Sequence, residues 1–304
     1  MRLPVRSTLS VILLAALIPA LLPAPATAAP ATAAGSAVNT EPSAAIDAYW
    51  TPERMAAARP MPAPAAGIPA RDTEPDGPAR TVPAVAPKTG IVVNGPSVWV
   101  TIGRLWFNVP GSGDYICSAN VVASNNRDVI ATARHCVMNI DTGAVYRSFR
   151  FAPAYNRGNA PYGWWNWRSV GWRTDDRGPG GDTAFMVLAT GGNAGRHVQE
   201  VVGGTGLGFN WSTNNYARGL GLPGDKDYAV WCEGQPYDGP SGGVQIRNCV
   251  GLAGGASGGA FIVNYQPSDG SAYQTASYFG SWGDSYFAYW RDVAWNIYNG
   301  AQNA

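Results

Sequence analysis

Apolar and polar positions alternate in short runs over the last two-thirds of the chain. Ser97–Val109 (SVWVTIGRLWFNV) alternates, breaks at Gly103 and resumes, and Tyr115–Ser124 (YICSANVVAS) leads through a polar turn at Asn125–Asp128 into Val129–Ala133 (VIATA). Further strand-like runs are Ser148–Tyr155, Asp182–Thr190 and Gly258–Tyr265, and Ser277–Trp282 follows them. Period-two runs rich in β-branched and aromatic residues, bounded by Gly, Asn and Asp, predict strands joined by tight turns. Tyr228–Gly234 and Gly243–Val250 read as the two arms of a hairpin. Helical periodicity emerges only at the end. There Arg291–Gly300 sets Val293 and Ile297 on one face with Trp290, and the pattern stops near Gly300. The expectation is an all-β fold with a C-terminal helix.

Two stretches depart from this pattern. Val11–Leu22 is apolar apart from Pro19, follows Arg2 and Arg6, and precedes a small-residue motif at Ala26–Ala28. That is the layout of a secretory signal peptide over residues 1–28. Residues 29–90 are dominated by Ala and Pro, which bury little area and remove backbone donors. They read as a pro-segment or linker, largely disordered, which leaves 91–304 as the folded domain. No later run is apolar for about 18 residues, so the mature product is expected to be secreted and extracellular, without a membrane partner.

Charge narrows the partners. The formal net charge is +1, with Lys88 and Lys226 the two lysines, and no basic cluster marks a nucleic-acid surface. The four cysteines, Cys117, Cys136, Cys232 and Cys249, form an even set in an exported chain, which points to two disulfides. Cys117–Cys136 with Cys232–Cys249 is the simplest of three pairings. Zinc needs close ligand pairs such as C-x-x-C, and none is present. No metal and no cofactor is expected.

The chemistry gathers at three places. His135 is one of two histidines and lies in Thr132-Ala-Arg-His-Cys136, directly after a strand. A cysteine beside it ties its backbone to a neighbour, as a positioned general base requires. Ser257 sits in Gly254-Gly-Ala-Ser-Gly-Gly-Ala260, where glycines let the backbone turn sharply. The amides of Gly255 and Ser257 there can converge as an oxyanion hole. Asp182 opens the apolar run Asp182–Thr190, where a carboxylate can be buried and aimed at a ring nitrogen. Ser257 as nucleophile, His135 as base and Asp182 as the residue that orients it make a triad. His197 has no such surroundings and reads as a surface residue.

Thr132–Cys136, Asp182–Phe185 and Gly254–Ala260, in the order His, Asp, Ser, resemble the chymotrypsin-like serine peptidases, closest to secreted actinobacterial and glutamyl-endopeptidase-like members. The resemblance spans about residues 98–300. It implies two six-stranded antiparallel β-barrels with the site between them, and a serine endopeptidase acting on protein or peptide substrates through an acyl-enzyme. It places substrate binding at Ser281, Trp282 and Gly283, and the floor of the primary pocket at Gly251. A monomeric zymogen is expected. The chain departs from the family at Arg134, in place of a small residue, and at Ala256, in place of the aspartate that receives a freed N-terminal amine. Gly251 and Gly280 offer no support for trypsin-like or glutamyl preference, although Asp284 lies near enough in sequence to reach the pocket.

Two other readings compete. Gly255–Gly259 also fits the nucleophile elbow of an α/β-hydrolase, but that fold needs its histidine after the serine, and none follows Ser257. The alternative is a catalytically silent peptidase-like module that binds or adheres through Trp164, Trp165, Trp167 and Trp172. The bland account of those tryptophans is barrel packing.

Overall fold

The computed structural model describes residues 1, 33–64, 77–88, 97–176 and 178–304. Apart from Met1, the expected signal peptide lies outside the described residues. Seventeen strands carry the fold among them. In chain order they are β1 (Ala34–Val38), β2 (Arg59–Pro60), β3 (Arg80–Val82), β4 (Ile102–Val109), β5 (Gly113–Val121), β6 (Val129–Thr132), β7 (Arg147–Pro153), β8 (Trp165–Arg173) and β9 (Ala184–Leu188). The second half holds β10 (Gly206–Phe209), β11 (Ala217–Gly221), β12 (Val230–Gly234), β13 (Pro236–Asp238), β14 (Val244–Ile246), β15 (Ala260–Val263), β16 (Tyr273–Trp282) and β17 (Asp284–Tyr289). The helices are short: α1 (Ser43–Tyr49), α2 (Pro52–Ala57), α3 (Val98–Thr101), α4 (Val198–Val202) and α5 (Asp292–Gln302).

β4 to β9 close on themselves. β8, β7, β4, β5, β6 and β9 pair in that order, and β8 then meets β9. Closure removes the sheet edges and turns every inward position into core. Leu105, Phe107, Phe149, Phe151 and Trp165 fill this first barrel without measurable exposure. The second sheet runs β12, β11, β15, β16, β17, β14, β13 and is nearly closed, with Phe261, Tyr278 and Phe287 in its core. The two-barrel expectation and the C-terminal helix therefore stand. α5 extends two residues past Gly300, and its Val293, Ile297 and Tyr298 pack in a further cluster with Phe185, Phe209 and Trp290.

Two sequence expectations fail. β12 does not pair with β14; it lies antiparallel to β11, while β14 sits between β13 and β17. The alternating runs were real, but the partner of each is a strand distant in sequence, and alternation alone does not choose partners. The stretch 29–90 is also not largely disordered where it is described. β1 pairs with β8, β2 with β5 and β3 with β10. Ile46 of α1 and the following Trp50 are buried in the first barrel's apolar cluster, and the Trp50 indole donates to the Ser148 carbonyl at 2.6 Å. A few large anchors inside an Ala/Pro background supply the burial that composition averages away.

Candidate functional site

β6 ends at Thr132 and the chain tightens into a single 3-10 turn, Arg134–Cys136, that lifts His135 out of the first barrel. The Cys117–Cys136 disulfide staples that turn to β5. A second 3-10 turn, Pro179–Gly181, delivers Asp182 just ahead of β9. β6 and β9 are neighbours, with Thr132 opposite Ala184, so the two turns emerge side by side. Asp182 is fully buried and accepts two hydrogen bonds from His135, one from the backbone N–H at 2.9 Å and one involving the ring Nδ1 at 2.6 Å. The second bond fixes the imidazole's orientation and leaves Nε2 as the ring nitrogen not engaged by Asp182. Nε2 is buried and has no hydrogen-bond partner among the described residues.

Ser257 comes from the second barrel, on the loop entering β15. That loop presses directly on the first barrel. The Ser118 N–H donates to the Ser257 carbonyl at 2.8 Å, and the Ser118 hydroxyl donates to the Gly255 carbonyl at 3.0 Å. The next residue, Gly258, has φ +80°, and a Cβ there would stand 2.1 Å from Thr132 Oγ1 and 2.4 Å from the Ser118 carbonyl oxygen. Only glycine permits that approach. Phe279 links the halves. Its carbonyl accepts from Ser257 Oγ at 3.3 Å, and its ring lies edge-on to the His135 imidazole with centroids 5.7 Å apart. The serine hydroxyl is thus turned to Phe279 and not to Nε2 in this structure. Catalytic hydrogen bonds often tighten only when substrate is bound. The amides of Gly255, at φ +92°, and Ser257 find no acceptor among the described residues. Ala256 between them is fully buried in the apolar core.

Two buried guanidinium groups brace the surroundings. Arg134 donates to the carbonyls of Arg173, at 2.9 Å, and Asp176, in the loop that leads to Asp182. Burial lowers its pKa, opposed first by the Asp182 carboxylate nearby. Arg104 donates to the carbonyls of Leu222, Pro223 and Lys226. Burial pulls its pKa down to about 10, so it stays charged at neutral pH. The loop it holds carries Gly224, whose N–H donates to the Gly254 carbonyl at 2.8 Å beside Gly255.

The remaining expected residues fall further out. Ser281 and Gly283 lie at the tip of the β16–β17 hairpin, where Ser281 faces Ser285, Trp282 faces Asp284, and Gly283 turns with φ +88°. The part of β16 that meets the serine loop lies just before this tip. The Gly258 N–H donates to the Tyr278 carbonyl, and the Tyr278 N–H to the Gly259 carbonyl, both at 2.8 Å. Phe279 belongs to no local motif. Its signal was its distance into the strand that pairs with β15. Gly251 is exposed, with open space beside its α-carbon. Asp284 accepts from the Tyr237 hydroxyl and, at 3.2 Å, from the Asn248 N–H. His197 is half-buried and pairs through Nδ1 with Asp128 at 2.6 Å, away from His135. Trp165, Trp167 and Trp172 are buried, and Trp164 packs edge-on against Trp106. Cys232 and Cys249 form the second disulfide.

Solved structures agree with this architecture. The protease Anisep from Arthrobacter nicotinovorans is 28% identical with TM-score 0.61, over 67% of this chain and 96% of its own. The thermostable serine protease AL20 from an extremophilic microorganism is also 28% identical with TM-score 0.61, over 67% and 98%. A Glu endopeptidase shares 16% identity with TM-score 0.55 over 70% and 95%, a likeness of fold alone. The chain has the chymotrypsin-like serine-protease fold. No protein-family model and no curated protein matches it. In this chymotrypsin-like frame the first barrel carries His135 and Asp182, the second carries Ser257, and the candidate site lies at the seam between them.

Proposed function

We propose that the chain is a secreted serine endopeptidase that cleaves protein or peptide substrates through an acyl-enzyme. The observation that carries this reading is the buried His135–Asp182 pair, whose imidazole lies against the Phe279 ring while the Phe279 carbonyl accepts from the hydroxyl of Ser257. Ser257 Oγ attacks the scissile carbonyl while His135 Nε2 takes its proton. Asp182 holds the Nδ1–H and stabilises the imidazolium. The amides of Gly255 and Ser257 receive the developing oxyanion. His135 then protonates the leaving amine, and water releases the acyl group by the same steps in reverse roles. The two protease neighbours at 28% identity favour hydrolysis of peptide bonds. Two disulfides fit an oxidising compartment, and no helix of the described residues is long and apolar enough to cross a membrane. Burial of three of the four clustered tryptophans weakens the adhesion reading.

An organophosphorus or sulfonyl fluoride probe tests the assignment. The expected result is a single label on Ser257, lost in Ser257→Ala and strongly slowed in His135→Ala, with casein hydrolysis lost in parallel. Labelling that persists in Ser257→Ala overturns it.

A further inference from the structure

We propose that residues 59–64, Arg-Pro-Met-Pro-Ala-Pro, form a built-in inhibitor that lies along the cleft over His135 and Ser257 and keeps the chain latent. The proposal rests on the endopeptidase reading above. The strap is anchored at its start. β2 adds to β5 in parallel, Arg59 opposite Tyr115 and Pro60 opposite Ile116, and the Met61 N–H donates to the Ile116 carbonyl at 3.0 Å. The Arg59 guanidinium donates to the Ser112 carbonyl at 2.7 Å and to the Tyr115 hydroxyl at 2.8 Å. Ile116 is next to Cys117, the residue stapled to the histidine's turn.

From there the strap crosses the site. Pro60 fills the space beside two glycines flanking the Gly255 amide: a Cβ on Gly224 would stand 2.2 Å from it, and one on Gly254 3.3 Å. Ala63 arrives at β16, where a Cβ on Gly280, the residue after Phe279, would stand 2.8 Å from its own. Between these ends, Met61–Pro64 wall a cavity together with His135, Met138 and Tyr146. The strap therefore touches the Gly255 side and the Phe279 side of Ser257 and reaches His135. Both His135 and Ser257 are only 2% exposed. A nucleophile and base that must meet a polypeptide are closed off in this form.

The sequence of the strap suits the task. Proline at every second position fixes φ near −65° and holds an extended, polyproline-like backbone. Each proline so fixed has less backbone freedom to lose when the strap seats. The bonds Arg59–Pro60, Met61–Pro62 and Ala63–Pro64 end on ring nitrogens, so the pyrrolidine crowds the leaving group of any attack there. Met61 and Ala63 keep N–H groups for pairing. The strap also follows α2 and the buried anchors Ile46 and Trp50, so it is tethered beside its target at high effective concentration.

Two variants of the full chain test this: Gly-Ser repeats in place of residues 59–64, and the single change Ala63→Arg, which crowds Gly280 and leaves Ile46, Trp50 and Arg59 in place. Ser257 labelling by a sulfonyl fluoride is timed in each, with thermal unfolding to verify folding. A strap seated in nine molecules of ten leaves about a tenth competent, so labelling should accelerate about tenfold or more in both. The synthetic hexapeptide Arg-Pro-Met-Pro-Ala-Pro should slow labelling of the Gly-Ser form again. It should also bind that form in a Ser257→Ala background, followed by fluorescence anisotropy, and fail to bind the intact chain. Equal labelling of the intact chain and the folded variants overturns the inhibitor and leaves the endopeptidase reading standing. Absence of labelling in every folded form overturns that reading and the inhibitor with it. If the Gly-Ser form does not fold, the Ala63→Arg rate decides alone.

Discussion

Asp182→Asn isolates the orientation of one imidazole. The carboxylate has no exposure and serves two donors of one residue, the His135 backbone N–H at 2.9 Å and the ring Nδ1 at 2.6 Å. Asparagine has the same outline but only one acceptor oxygen. If that oxygen stays on the backbone N–H, the NH2 faces Nδ1, which must become an acceptor. The ring proton then moves to Nε2, and His135 can no longer take the proton of Ser257. If the amide flips, the ring keeps its tautomer, but two N–H donors face each other in a buried pocket at a cost of about 1–3 kcal/mol. Either arrangement also removes the charge that balances the imidazolium. A wrong tautomer in this type of triad lowers kcat about 10⁴-fold, which corresponds to about 5.5 kcal/mol of barrier. Asp182 is screened from substrate by His135, so KM should stay within about threefold. The assay is steady-state hydrolysis of a peptide ester together with the rate of Ser257 labelling, on protein whose circular dichroism matches the parent. A loss in kcat below about tenfold in folded protein would refute the role given to Asp182.

Other perturbations test the frame around the site. Ile46→Ala removes a fully buried side chain of the N-terminal stretch and should cost about 3 kcal/mol, read as a lower urea midpoint; an unchanged midpoint would show that this stretch does not stabilise the barrel. Replacing both Cys117 and Cys136 by alanine releases a link across 19 positions beside His135. It should lower stability by about 3 kcal/mol in the chain-entropy view and reduce kcat more than it raises KM, measured by thermal melts and steady-state rates. Gly258→Ala places a methyl against Thr132 and Ser118 at a φ of +80°, and should lose soluble, folded protein or at least about 2 kcal/mol of stability. Arg104→Met leaves three loop carbonyls without their charged donor and should destabilise by roughly 2–4 kcal/mol, seen as a shifted midpoint.

The strands, the terminal helix and the three candidate site residues are each signalled locally in the sequence. Alternation marks a strand, and His135 and Ser257 sit in short motifs whose neighbours do physical work: Cys136 staples and Gly258 allows contact. Partner choice was not legible. The alternating run around Cys232 says nothing about whether β11 or β14 lies beside it, and the second disulfide fits both pairings. The N-terminal stretch misled for a related reason. Composition averages over residues, whereas burial is decided by a few, and Ile46 and Trp50 are enough to dock two short helices. Phe279 shows the limit of motif reading most sharply. Its place at Ser257 is set by the register of β16 against β15, and a register is a property of two strands, invisible in either alone.

Arg134 and Arg104 explain how a site built from loops stays fixed. A loop positions a side chain only if its own carbonyls are satisfied, and here each critical loop turns its carbonyls inward onto one guanidinium. Arg134 gathers those of Arg173 and Asp176 ahead of Asp182. Arg104 gathers those of Leu222, Pro223 and Lys226 behind Gly255. At Arg104, where Nη1 serves Leu222 and Nη2 serves Pro223 and Lys226, several fixed donors on one planar group suit this better than lysine, whose single nitrogen is a compact, strongly hydrated point charge. The arginine beside the histidine turns into the loop ahead of Asp182, and the Asp182 carboxylate nearby favours its charge. Both cations are costly to bury, and the loop carbonyls that each gathers offset part of that cost.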